Sequence, residues 1–107
     1  MANIPKKLYQ GSPSQEMAPL YEVINGKTIL KNILLCNTES TTKKIDVYIQ
    51  DGSDDSKVNN IIASYPVQGN DTIVIDMSCI MELGDSILSK QETTGAISLH
   101  VSGVEVL

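Results

Sequence analysis

The chain contains no phenylalanine and no tryptophan. Its core must therefore come mainly from Ile, Leu and Val, and β-branched residues favour strands over helices. A sugar site built on exposed aromatic platforms has only four dispersed tyrosines to draw on, Tyr9, Tyr21, Tyr48 and Tyr65. Basic residues are few, eight against thirteen acids, for a net charge of −5. That balance repels phosphate backbones and addresses no anionic lipid, so neither nucleic acid nor a membrane is expected as a partner.

Cysteine is nearly absent too. Cys36 and Cys79 lack the CxxC spacing of a zinc or redox site. Without a secretory signal, two cysteines read as buried thiols rather than a bridge. The opening "MANIPKKLYQGSPSQ" holds no apolar run of signal-peptide length, and no later run approaches the span of a bilayer. The expectation is an untargeted product of the cytoplasm. Sustained helical periodicity, internal repeats and low-complexity tracts are also missing.

What remains is a 107-residue chain, 41% hydrophobic, of single-domain size. Residues 1–20 are turn-rich and read as an arm with a first strand around "KLYQ"; residues 21–107 read as the core domain. "PLYEVINGKTIL" places Asn25-Gly26 between two strand patterns, the signal of a type I′ hairpin. "KTILKNILLCN" is apolar at both parities, with Ile29, Ile33 and Leu35 on one and Leu30, Leu34 and Cys36 on the other. Such a strand is either central in a sandwich or covered by a partner subunit.

"KIDVYIQ" alternates, with Ile45, Val47 and Ile49 inward and Asp46 and Tyr48 outward; "DTIVIDM" alternates through Ile73, Ile75 and Met77. "NNIIASYPV" fits a helical turn or a short strand, and Gly84-Asp85 is a further turn. About eight short strands at this spacing predict an all-β antiparallel sandwich, jelly-roll-like.

The closing "ISLHVSGVEVL" holds His100, Ser102 and Glu105, the residue types of a catalytic triad. On a strand, His100 and Ser102 stand side by side on one face about 6.5–7 Å apart. A nucleophile and its base must converge to about 2.6–3.2 Å, and Glu105 has the opposite parity. The chain is not read as an enzyme, and no catalytic residue is assigned. Ile97, Leu99 and Val101 are apolar at odd positions, Val104 and Val106 at even ones, so the phase flips at Gly103. That pattern predicts a β-bulge or a change of neighbour at Gly103, with the last residues leaving the subunit's own core to pack elsewhere, another subunit being one such place.

The acidic loop Asp51, Asp54, Asp55 lacks the spacing of an EF-hand and reads as a solvated turn, so no metal is assigned. "NGK" lacks the frame of a phosphate-binding loop, leaving Lys27 as a turn residue and no cofactor implied. The doubly apolar strand, the arm and the phase-flipped tail single out Leu8, Tyr9, Leu30, Leu34, Val104 and Val106 as candidate contacts between copies.

"YEVINGKT" (Tyr21 to Thr28), the apolar strand ending at Asn37, the turn Gly84 to Ile87 and the closing "HVSGVE" form a recurring set. In these the chain resembles small β-sandwich structural proteins of tailed bacteriophages, over roughly residues 8–107. Where that family tends to carry "PAGK", this chain has "INGK". The resemblance implies a non-enzymatic virion subunit of the tail, fibre, baseplate or capsid surface, made in the host bacterial cytoplasm. It also implies other virion proteins and further copies of itself as partners. A receptor- or carbohydrate-binding module is the alternative.

Overall fold

The computed structural model of the chain describes residues 3–52, 54 and 56–107. Eight strands follow in order: β1 Asn3–Gly11, β2 Ala18–Glu22, β3 Lys27–Asn37, β4 Lys43–Gln50, β5 Val58–Val67, β6 Thr72–Met81, β7 Ser86–Gln91 and β8 Ile97–Val106. They build two four-stranded antiparallel sheets, ordered β1-β8-β3-β6 and β2-β7-β4-β5. Among the described residues, β4 and β5 alone are both consecutive and paired; every other connection crosses between the sheets. This is a jelly roll. "NNIIASYPV" resolves as strand β5.

Inward-facing aliphatics fill the space between the sheets, with Leu30, Ile33 and Leu35 of β3, Ile45 and Val47 of β4 and Val101 of β8 fully buried. At about 25 cal/mol per Å² of apolar surface, each such side chain stabilises the fold by roughly 1.5–3 kcal/mol. Among the described residues no fully buried side-chain nitrogen or oxygen lacks a hydrogen-bond partner. Gln91 Nε2 donates to Pro13 O at 2.6 Å and Ile97 O at 3.1 Å, while its Oε1 accepts from Ile97 N at 2.9 Å. Asn37 Nδ2 donates to Thr41 O and Val67 O, both at 2.8 Å.

The chain bends at Asn25-Gly26, with Gly26 at φ +57°, but Asn25 lacks the positive φ of a type I′ turn and the bend makes no hairpin. It joins β2 and β3, which lie in different sheets. Turn chemistry fixes the local backbone but not which strand each flank pairs with. Here Val23 plugs the end of the core, donates from its N–H to Asp85 O and accepts from Gly84 N–H, both at 2.9 Å. Those bonds carry the chain across the gap. A Cβ on residue 26 would overlap the carbonyl oxygen of Val106, so glycine is required twice over.

The double apolarity of "KTILKNILLCN" has a specific cause. β3 is central between β8 and β6, and its register shifts between Leu30 and Asn32 against both neighbours. Against β8, Lys31 is the extra residue of a bulge, whereas against β6 the extra residue lies on β6, where Met77 and Ser78 oppose Lys31; within β3 the inward set passes from Thr28 and Leu30 to Ile33 and Leu35.

The expected bulge at Gly103 is not in β8, whose odd residues face inward from Ile97 to Glu105 without a break. The bulges belong to its two neighbours, at Lys31 of β3 and at Leu8 of β1. Gly103 lies between them because a Cβ there would overlap the carbonyl oxygen of Ile29 and come within 3.1 Å of Leu8 Cδ1. Val104 and Val106 therefore face outward by ordinary alternation. The turn-rich first segment contributes β1 as an edge strand on β8, and position 20 falls inside β2.

A candidate assembly surface

The outer face of the β1-β8-β3-β6 sheet is read off its registers. Pro5, Val104, Ile29 and Ile80 lie across the four strands in one row. The next row is polar: Lys7, Ser102, Asn32 and Asp76, with Asn32 Nδ2 donating to Asp76 Oδ1 at 2.9 Å. A third row carries Gln10, His100, Leu34 and Val74. Apolar exposure rises towards β6, reaching 55% at Val74 and 65% at Ile80. Beyond the apolar row, Lys27 Nζ pairs with Glu82 Oε2 at 3.4 Å.

The adjoining end of the sandwich is apolar as well. Ile24 and Leu83 are exposed on the two corners that Val23 and Gly84 tie together, and Leu107 is exposed beyond Val106. The carboxylate of Asp85 organises this end, accepting from Glu82 N at 2.9 Å and Gly52 N at 3.1 Å. Large aliphatics gathered on one sheet face and its rim make this a candidate contact surface.

Of the six residues singled out from the sequence, Leu34, Val104 and Val106 share this outer face, half-buried. The other three are corrected. Leu30 is fully buried and Leu8 nearly so, both inside the chain's own core, and Tyr9 faces inward opposite Val101. The bulges are the reason, since each shifts the parity that a uniform alternation would assign. As an edge strand of its own sheet, β1 is also not a loose strap. The sequence reading missed Val74 and Ile80. Their signal was present: β6 carries Val74 and Ile80 at even positions beside Ile73, Ile75 and Met77 at odd ones.

The triad residues do not converge. His100 and Ser102 face outward, whereas Glu105 faces the other side and holds Lys6 Nζ at 3.3 Å. Lys6 in turn lies 5.7 Å from the centroid of the Tyr21 ring. Cys36 and Cys79 are free and half-buried, on opposite faces of the sheet. In the acidic loop, Asp54 Oδ1 accepts from Ser56 Oγ at 2.6 Å and Ser56 N at 2.9 Å, which holds its carboxyl below the ordinary range. Asp55 lies outside the described residues. Among the described residues no cluster of His, Cys, Asp and Glu could hold a metal ion, and no helix is long and apolar enough to cross a membrane. On the outer face of the other sheet, Lys44, Asp46, Lys90 and Glu92 line a polar hollow. Its carboxylates are engaged, Asp46 by Ser64 N at 2.8 Å and Glu92 by Lys44 N at 3.0 Å.

By sequence, no family model and no curated protein matches the chain. By fold it is similar to a chain of the crystal structure of the T13 particle of infectious bursal disease virus. The TM-score is 0.61 at 9% identity, over 97% of this chain and 31% of that one. It is similar also to a chain of the structure of the Gx strain of that virus, with TM-score 0.55, 12% identity, and coverage of 96% and 30%. The chain thus spans about a third of the length of these viral chains, and the jelly roll is what it shares with them.

Proposed function

We propose that the chain is a non-enzymatic structural subunit of a tailed-phage virion, in the tail, fibre, baseplate or capsid surface. It works by protein–protein contacts with its own copies and with other virion proteins, and is made in the cytoplasm of the bacterial host. The observation that carries this reading is the apolar row Pro5–Val104–Ile29–Ile80 with the exposed Ile24, Leu83 and Leu107 beside it. A jelly roll that keeps its buried polar groups bonded yet leaves these aliphatics in water is built to be covered. The likeness in fold to chains of virus particles supports the same reading, as does the phage-type strand and turn pattern of the sequence.

The test is quantitative mass spectrometry of purified phage particles from a host expressing the gene. The expected result is the chain in many copies per particle. Its absence from particles, with the protein left soluble in the lysate, overturns the proposal.

A further inference from the structure

Sheet edges invite pairing with another chain, and folded proteins blunt them. Three of the four edges here are blunted. β1 carries Pro5, Lys6 and Lys7 and a bulge at Leu8. β2 is five residues long, with Pro19 and a shift of register at Leu20. β5 carries Pro66, two shifts of register and Ser64 at φ +44°. β6 is ten residues, "TIVIDMSCIM", without proline or lysine and with its inward and outward residues alternating throughout; its one irregularity is a register shift against β3, where Met77 and Ser78 lie opposite Lys31.

β6 also carries aliphatics on both faces, and its inner face is only partly covered. Its inward Ile73, Ile75, Met77 and Cys79 are half-buried, whereas the inward residues of β3 beside it are fully buried. Outward, Val74 and Ile80 are exposed.

We infer that β6 is the site of pairing with a second copy of this chain, edge to edge and antiparallel about a two-fold axis, joining two four-stranded sheets into one of eight. The occupant follows from the strand's self-complementarity. A two-fold axis normal to the sheet keeps both copies' inner faces on one side, so the axis passes through a residue and its own copy. Centred on Asp76, it would set two carboxylates directly opposite, which is destabilising. Centred on Ile75 it pairs Val74 with Asp76, and centred on Ser78 it pairs Ile80 with Asp76.

Centred on Met77, every pair matches. Val74 faces Ile80, Ile75 faces Cys79, Ile73 faces Met81, and Asp76 faces Ser78. The two exposed aliphatics of the outer face then cover each other across the axis. This pairing deepens the reading of the chain as an assembly subunit and rests on it.

The experiment is sedimentation velocity of the purified chain over a concentration series, with the double variant V74K/I80K and the control His100→Lys. Both altered β6 side chains are largely in water, so unchanged circular dichroism is expected for every variant. The result expected is a dimer for the parent and the control, and at least tenfold weaker association for V74K/I80K. As a second measurement, Met77→Cys in a Cys36→Ser, Cys79→Ser background should oxidise to a disulfide-linked dimer through the residue on the axis. A parent that stays monomeric at its highest soluble concentration, or a V74K/I80K protein that dimerises as tightly as the parent, overturns the inference. Particles that contain the chain while the free chain is monomeric sink the edge pairing alone. A β6 dimer from a protein absent from particles sinks the virion reading alone.

Discussion

Gly103 and Ile29 approach so closely that a Cβ on residue 103 would overlap the carbonyl oxygen of Ile29. Both partners are backbone within paired strands, so neither yields cheaply. Gly103→Ala should destabilise the fold by about 1–3 kcal/mol through overpacking. Urea unfolding checks it, as a lower midpoint with an unchanged slope.

The bulge at Lys31 sends two leucines of equal parity on one strand, Leu30 and Leu34, to opposite fates. Leu30→Ala opens a cavity in the closed core and should cost about 2–5 kcal/mol. Leu34→Ala trims a half-buried side chain on the outer face and should cost less than about 1 kcal/mol. Thermal unfolding of the two variants side by side is the measurement. Equal losses would mean that the parity does not change at Lys31.

Gln91 closes the space between the segment before β2 and the start of β8. In Gln91→Leu the buried Ile97 N–H and the Pro13 carbonyl lose their partner. Each such group left unbonded costs about 1–3 kcal/mol. Amide hydrogen exchange should show Ile97 among the positions most accelerated, relative to the parent.

Asp54 accepts two hydrogen bonds from Ser56, and these hold its carboxyl below the ordinary aspartate value of 3.8. A folded pKa below the unfolded one means that these bonds are in place above the ordinary aspartate range and are lost as pH falls through the lowered value. An NMR titration should find the Ser56 amide shift moving with a midpoint below 3.8. A midpoint at or above that value would show that the bonds to Ser56 do not form in solution.

Strand existence was legible because alternation is a local signal with a period of two. It places Ile45 and Val47 inward and Asp46 on the other face, as found. Pairing was not legible, because Asn25-Gly26 encodes a backbone turn and says nothing of the sheet each flank will enter. The bulges at Leu8 and Lys31 were hidden for a related reason: a bulge is a mismatch between two strands, and its second strand is far away in sequence. The phase flip at Gly103 was a true signal with the wrong owner. It records a crowded site created by the neighbours, while β8 runs straight. Leu34, Val104 and Val106 of the candidate contact set lie on the outer face, and the part of that face nearest β6 needed the sheet order before its exposed aliphatics meant anything.

The order β1-β8-β3-β6 has a consequence for how the protein is made. β8 is the latest strand in sequence, yet it lies between β1 and β3, and β7 likewise separates β2 from β4 in the other sheet. During translation neither sheet can close until β7 and β8 have left the ribosome. Until then β3 has no partner on one side and β1 has none at all. Long-range pairing of this kind folds slowly and leaves strand edges open to other chains. A growing chain of this topology is therefore most exposed to misassembly just before β8 emerges, and dependence on chaperones should be concentrated in that interval.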